Sequence, residues 1–206
     1  MVDKNLPSAI VRGGVGDILT DLGEVGLDRF IDEGVLNDIP LLGSLVKIYK
    51  SGKNVKEYLF AKKVEAFLDN LSDFTSDEVE KFNSEIDSDP EYKSRVAEHI
   101  TLILDRLDDI EKSELLAKAF SSFINGTIDF DKFRRIARAI ERCIIDDLNT
   151  VHNFERANDA HNDITYDLAA CGLISLVQLP LIQGPEAHPT YKITEFGELF
   201  VDVVLK

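Results

Sequence analysis

The segment FDKFRRIARAIERC, residues 130–143, sets Arg135, Arg138 and Arg142 at steps of three and four, with Arg134 alongside. On a helix that spacing gathers the guanidinium groups on neighbouring positions of one face. Guanidinium is the side chain that grips a carboxylate or phosphate through two parallel hydrogen bonds, so the pattern could clamp an anionic partner. The competing use is internal. Residues 69–113 hold fourteen acids against five bases, and ion pairs from the arginines to those acids are the expectation. A second basic cluster, Lys47, Lys50, Lys53, Lys56, Lys62 and Lys63, lies in IPLLGSLVKIYKSGKNVKEYLFAKKVEAFL, residues 39–68, beside only two acids. Near anionic lipid each lysine contributes about 1 kcal/mol, if all face one way. Leu41, Leu45, Phe60, Phe67 and Leu68 of the same stretch stand at core spacing. The lysines therefore read as the solvated backs of two core helices, with a partner or membrane-surface patch as the alternative.

Other constellations fail on residue type. FINGTIDFDKF resembles the middle of a calcium loop, but setting Gly126 at its sixth position puts Phe123 at the third and Lys132 at the twelfth. A bidentate carboxylate is needed there. Gly14 and Gly16 lack the third glycine of a dinucleotide fingerprint, since Leu19 occupies its place. There is no phosphate-binding G-x-x-x-x-G-K-[ST] loop, no H-E-x-x-H and no G-x-S-x-G elbow. His152, His161, Asp159 and Asp163 lie close in sequence, a set that polar loop composition explains as well as a metal or acid–base site. Asp108 with Asp109 and Asp146 with Asp147 are adjacent pairs whose side chains diverge by about 100° on a helix. No catalytic, cofactor-binding or metal-ligating residue is assigned, and the expectation is a protein that is not an enzyme and carries no cofactor.

Local signals place most of these residues on helices. GGVGDILTDLGEVGLDRFIDEG has helical apolar spacing at Val15, Ile18, Leu19, Leu22 and Val25, weakened by interior glycines that each cost about 1 kcal/mol. Asp38 and Pro40 read as a helix start, and Ser51 with Gly52 as its end. Asn54 caps a second helix that completes a hairpin. TSDE at 75–78 is a capping box, Pro90 opens the next helix, and Asn125 with Gly126 closes the one after. Asp129 then caps a long helix whose inward positions include Phe133, Ile136, Ala137, Ile140, Ile144 and Leu148. Six or seven helices with short links make a bundle. Beyond them a helix ends near Gly172, LISLVQL and TYKI suit two strands around a turn-rich PLIQGPEAHP, and Thr194 caps a last helix.

LAACGLISL followed by YKITEFGELF resembles the closing part of winged-helix modules, in which GL ends the recognition helix and Y-x-[IL]-T-x-x-G leaves the wing. The resemblance covers roughly the last forty residues. Together with the helices above, it implies a mainly α fold, a multi-helix bundle with a small C-terminal winged-helix-like part containing a β-hairpin. The organisation expected is a glycine-rich N-terminal helical segment at 1–38, a helical bundle at 39–148 and the winged-helix-like module at 149–206. The body, from KKVEAFLDNL through FINGTIDFDKFRRI, also resembles uncharacterised bacterial proteins encoded among mobile and phage-related genes, a likeness that brings no activity with it.

Charge then narrows the partners. The chain of 206 residues carries 38 acids, 23 Lys and Arg and a net charge of −15. DNA and anionic lipid are repelled by the whole-molecule field unless a local patch overcomes it. The candidate recognition helix, HNDITYDLAACG, carries Asp163 and Asp167 and no Lys or Arg, and the wing holds Glu186 and no base besides His188. A protein partner is therefore expected ahead of nucleic acid. A winged-helix DNA regulator and a membrane-surface effector remain as alternatives, and self-association is open. Two cysteines, an opening without an apolar signal core and no stretch approaching the ~20 apolar residues of a membrane span point to a cytoplasmic setting.

Overall fold

The computed structural model describes residues 39–49, 55–154, 158–159, 163–178 and 189–206. The glycine-rich segment 1–38, Lys50, Lys53, the Ser51–Gly52 helix end and Asn54 cap, His161 and the wing at 180–189 except Pro189 fall outside them. The chain divides into two compact units, residues 1–65 and 66–206. Among the described residues there are nine α-helices and a small antiparallel sheet, so the fold is mainly α with a C-terminal β-hairpin.

In the first unit, α1 (Pro40–Tyr49) opens on proline, whose missing N–H costs nothing in a first turn. Leu41, Leu42 and Leu45 are buried, at the three- and four-residue steps the sequence predicts. The unit boundary falls within α2 (Val55–Asp69), whose first part buries Phe60, Ala61 and Val64.

The second unit is built on α3 (Ser76–Asp87), α4 (Pro90–Arg106), α5 (Glu111–Ile124) and α6 (Phe130–Arg142). Their starts are set by local chemistry. Thr75 and Glu78 satisfy each other's amides in a complete capping box. Asp89 accepts from the amides of Glu91 and Tyr92 ahead of Pro90. Asp129 accepts from the amide of Lys132. Gly126, at φ +78°, ends α5 in the left-handed region that a side chain disfavours. The core is aromatic: Phe120 lies 5.6 Å from Phe67, 6.0 Å from Phe82 and 5.5 Å from Phe133, centroid to centroid. Phe123 stacks on Phe133 at 5.7 Å. Each such pair adds about 0.5–1.5 kcal/mol beyond the area it buries, so this cluster fixes how α5 and α6 lie together. Lys112, only 2% exposed, pairs with Asp108 at 2.6 Å and reaches the Glu141 carbonyl at the end of α6. A cation at a helix C-terminus is favourable to the helix dipole.

The long helix expected to run on from Asp129 through Leu148 is broken. Cys143 and Ile144 are extended, with ψ of 152° and 142°, before α7 (Ile145–Asn149) restarts. Ile144, expected to face inward, is 59% exposed, while Cys143 takes the interior position. A 3-10 turn (Val151–Phe154) leads to the two-residue β1 (Asn158–Asp159), α8 (Asp163–Ala170), β2 (Ile174–Gln178), β3 (Thr190–Ile193), α9 (Glu195–Phe200) and a closing π-helical turn (Val201–Leu205). Strand order is β1-β3-β2, all antiparallel, with Ile174 opposite Ile193, Leu176 opposite Tyr191 and an irregularity between Leu176 and Gln178. The Lys118 ammonium donates to the Val204 carbonyl and ties α5 to the last turn.

Residues 168–197 explain the GL and Y-x-I-T-x-x-G stretches physically. Gly172, at φ +78°, completes a Schellman end to α8, with Leu173 N–H on the Leu168 carbonyl and Gly172 N–H on that of Ala169. The Thr194 hydroxyl donates to the Gly172 carbonyl at 2.6 Å and accepts from the Gly197 amide at 2.9 Å. A Cβ at Gly197 would run into the Leu173 carbonyl oxygen. Threonine and glycine together let α9 begin against the end of α8.

Candidate functional site: an arginine-lined cleft

The second unit carries a cleft of about 790 Å³ with five arginines around it: Arg106 from α4, and Arg134, Arg135, Arg138 and Arg142 from α6. α6 presents them because Phe133, Ile136, Ala137 and Ile140 fill its opposite side against the core. Ile103, Leu102 and Ala139 give the cleft apolar surface, and Leu102 is 51% exposed. Ala170 and Cys171 close one wall from the end of α8, and Phe196 contributes from α9.

The expected pairing of these arginines with the acids of residues 69–113 is not what the structure holds. Their carboxylate partners lie on α6 itself: Asp131 for Arg134 at 3.7 Å, and Glu141 for Arg138 at 3.3 Å. Glu141 also meets Arg106 at 3.9 Å. The three guanidinium side chains remain 53–57% exposed, and pairs of that kind contribute about 0–1 kcal/mol. They are weak enough to exchange for another anion. Arg135 instead lies over the Phe196 ring at 4.5 Å, a cation–π contact of about 0.5–1 kcal/mol at an exposed site. Among the described residues no carboxylate comes within ion-pair distance of Arg135 or Arg142. One helix cannot be neutralised by two acids when it carries four arginines and sits at the mouth of an open cleft.

His99 stands at the cleft on α4, edge-on to Phe130 and Phe133 at 5.9 Å each. Its Nε2 is buried and makes no hydrogen bond. Burial first, then the Arg134 charge, lowers its pKa, so it is a neutral imidazole at pH 7. Cys171 also lines the cleft, within electrostatic reach of Arg142 and Arg138.

Of the residues singled out in sequence, Arg134, Arg135, Arg138 and Arg142 are brought together at the cleft. Of the six lysines, Lys47, Lys56, Lys62 and Lys63 are among the described residues. Lys56 is exposed, Lys62 is half-buried against Glu65 at 2.6 Å, and Lys63 is buried. Lys47 lies on α1. His152 is exposed on the 3-10 turn, and Asp163 is exposed at the start of α8. Among the described residues no cluster of three His, Cys, Asp or Glu could hold a metal ion, and no helix is long and apolar enough to cross a membrane. His99, Arg106, Cys171 and Phe196 were missed because they reach the cleft from three other elements, and no spacing within one helix encodes that meeting. Neither a protein-family model, a curated protein nor a solved structure matches the chain.

Proposed function

We propose that the protein is a non-enzymatic interaction module that captures an acidic segment of a partner protein in the arginine cleft. The observation that carries this reading is the convergence of five guanidinium groups on one cleft in a chain of net charge −15. A local positive site in a negative field selects a short anionic ligand over a long one. A duplex presents one charge per ~1.7 Å and would bring its neighbouring phosphates against exposed Asp163 and Asp167 on α8, whose far end forms the cleft wall. A peptide carboxylate can enter alone, held by bidentate guanidinium contacts. The exposed Leu102 side chain and the Phe196 ring offer contact to an apolar residue beside it. The helix–strand–strand–helix order of the tail supports a winged-helix-like module adapted to polypeptide, and two free cysteines support a cytoplasmic protein. The bacterial, phage-related setting rests on resemblance of the body alone.

Fluorescence anisotropy with a labelled peptide of alternating Glu and Leu tests the reading. Binding is expected, and R135A/R142A should weaken it by about 10-fold or more, since a hydrogen bond to a charged group contributes about 1.5–3 kcal/mol. Among the described residues neither arginine has a carboxylate partner to orphan, so the variant should stay folded. No binding, equal binding by the variant, or tighter binding of duplex DNA than of peptide would overturn it.

A further inference from the structure

Two sulfurs meet at the cleft wall. Cys143 follows the last turn of α6 and Cys171 caps α8, and both positions are fixed by backbone: the Cys143 amide on the Ala139 carbonyl, and the Schellman bonds around Gly172. The Cys143 thiol donates to the Cys171 sulfur at 2.9 Å, and both are free cysteines. A disulfide closes at about 2.05 Å, less than an ångström nearer. The two sulfurs are not equivalent. Cys143 is fully buried, with the Asp167 carbonyl 3.8 Å from its sulfur, whereas Cys171 is half-buried and lines the open cleft.

We propose that Cys171 and Cys143 form a peroxide-sensing dithiol, in which Cys171 reacts with a hydroperoxide entering the cleft and Cys143 resolves the product into a reversible disulfide. The environment favours this division of labour. The hydrogen bond from Cys143, then Arg142 and Arg138, stabilise the Cys171 thiolate and bring its pKa down to about 7 despite burial and Asp167. The same contact and burial push the Cys143 thiol up, keeping it protonated until it is needed. The thiolate is the reactive form. In the first step it attacks one peroxide oxygen: an S–O bond forms, the O–O bond breaks, and the departing hydroxide takes a proton from solvent. Cys171 is then a sulfenic acid. In the second step the Cys143 sulfur attacks the Cys171 sulfur, the S–S bond forms, the S–O bond breaks, and the hydroxyl leaves with the Cys143 proton as water. The two thiols have lost two electrons and the peroxide has become water; an external dithiol reverses the change. Oxidation also removes the thiolate that faces Arg138 and Arg142, leaving the cleft more positive.

The test uses the full chain, reduced, then treated with a small molar excess of hydrogen peroxide and read by intact mass and non-reducing peptide mapping. The expected product is two hydrogens lighter, carries a 143–171 crosslinked peptide, and returns to the starting mass with dithiothreitol. In C143S, Cys171 should accumulate a dimedone-trappable sulfenic acid, while in C171S, Cys143 should stay unmodified. Retention of both free thiols, intermolecular dimers without the 143–171 link, or Cys143 oxidised as readily in C171S would each overturn the proposal. None of these readouts depends on peptide binding, so failure of the arginine-cleft reading leaves this one standing, and the reverse holds too.

Discussion

Asp147 is a buried carboxylate in the first turn of α7. Burial, followed by the charges of Asp167 and Asp146, pushes its pKa above the usual carboxylate range. A raised carboxyl pKa means that ionisation costs more in the folded chain than in the unfolded one, so this contribution to stability is present at low pH and is lost as pH rises through the acid range. D147N removes the charge and keeps the shape. At pH 7 the variant should melt at a higher temperature than the parent, with the gap closing toward about pH 4, as thermal unfolding followed by circular dichroism would read; a lower melting temperature at pH 7 contradicts the assignment. At this scale the sequence spoke selectively. Adjacent Asp146 and Asp147 read as side chains that diverge on one helix, yet the Asp146 charge adds to the field at Asp147. The third carboxylate that matters, Asp167, comes from α8, twenty positions away. The same blindness hid Cys143 beside Cys171, because a hydrogen bond between residues 28 apart leaves no local pattern.

Helix ends, by contrast, were legible because capping is an interaction within four residues. Thr75, Asp129 and Thr194 accept the amides that their spacing implied, and Asp89 adds a cap ahead of the expected Pro90 start. Asp129 has functional weight, since it starts the helix that carries four of the cleft arginines. D129A should lower unfolding stability by about 1 kcal/mol, whereas D129N, which can still accept the Lys132 amide, should keep most of it. Urea titrations of the two variants decide between a cap and a charge effect: equal losses would favour the latter, through the exposed Lys132 pair at 3.7 Å. The break at Cys143 was illegible for a stated reason. Ile136, Ile140, Ile144 and Leu148 continue a helical period, and neither glycine nor proline interrupts it. Packing of Cys143 against the end of α8 overrides that local preference, a tertiary effect that propensity does not contain.

For the whole molecule, the charge of −15 and the cleft pull in opposite directions. Self-repulsion among exposed acids opposes the compact state and is screened once the Debye length falls from about 30 Å at 0.01 M salt to about 8 Å at 0.15 M. Raising sodium chloride across that range should increase the melting temperature while weakening capture of an acidic peptide. Parallel movement of the two quantities, seen by calorimetry and anisotropy on the same samples, would contradict a positive cleft in a negative body. The acidic balance was readable from composition alone, and the arginine periodicity of α6 from the order of residues. Their arrangement as island and sea required the folded chain. One further property follows from the Arg135–Phe196 stack. With 12 phenylalanines and no tryptophan, the protein is nearly dark to indole-selective excitation, so F196W installs a solitary fluorophore under a cation at the cleft mouth. Its emission becomes an optical gauge of occupancy, reporting the arrival of a ligand without a label on either molecule.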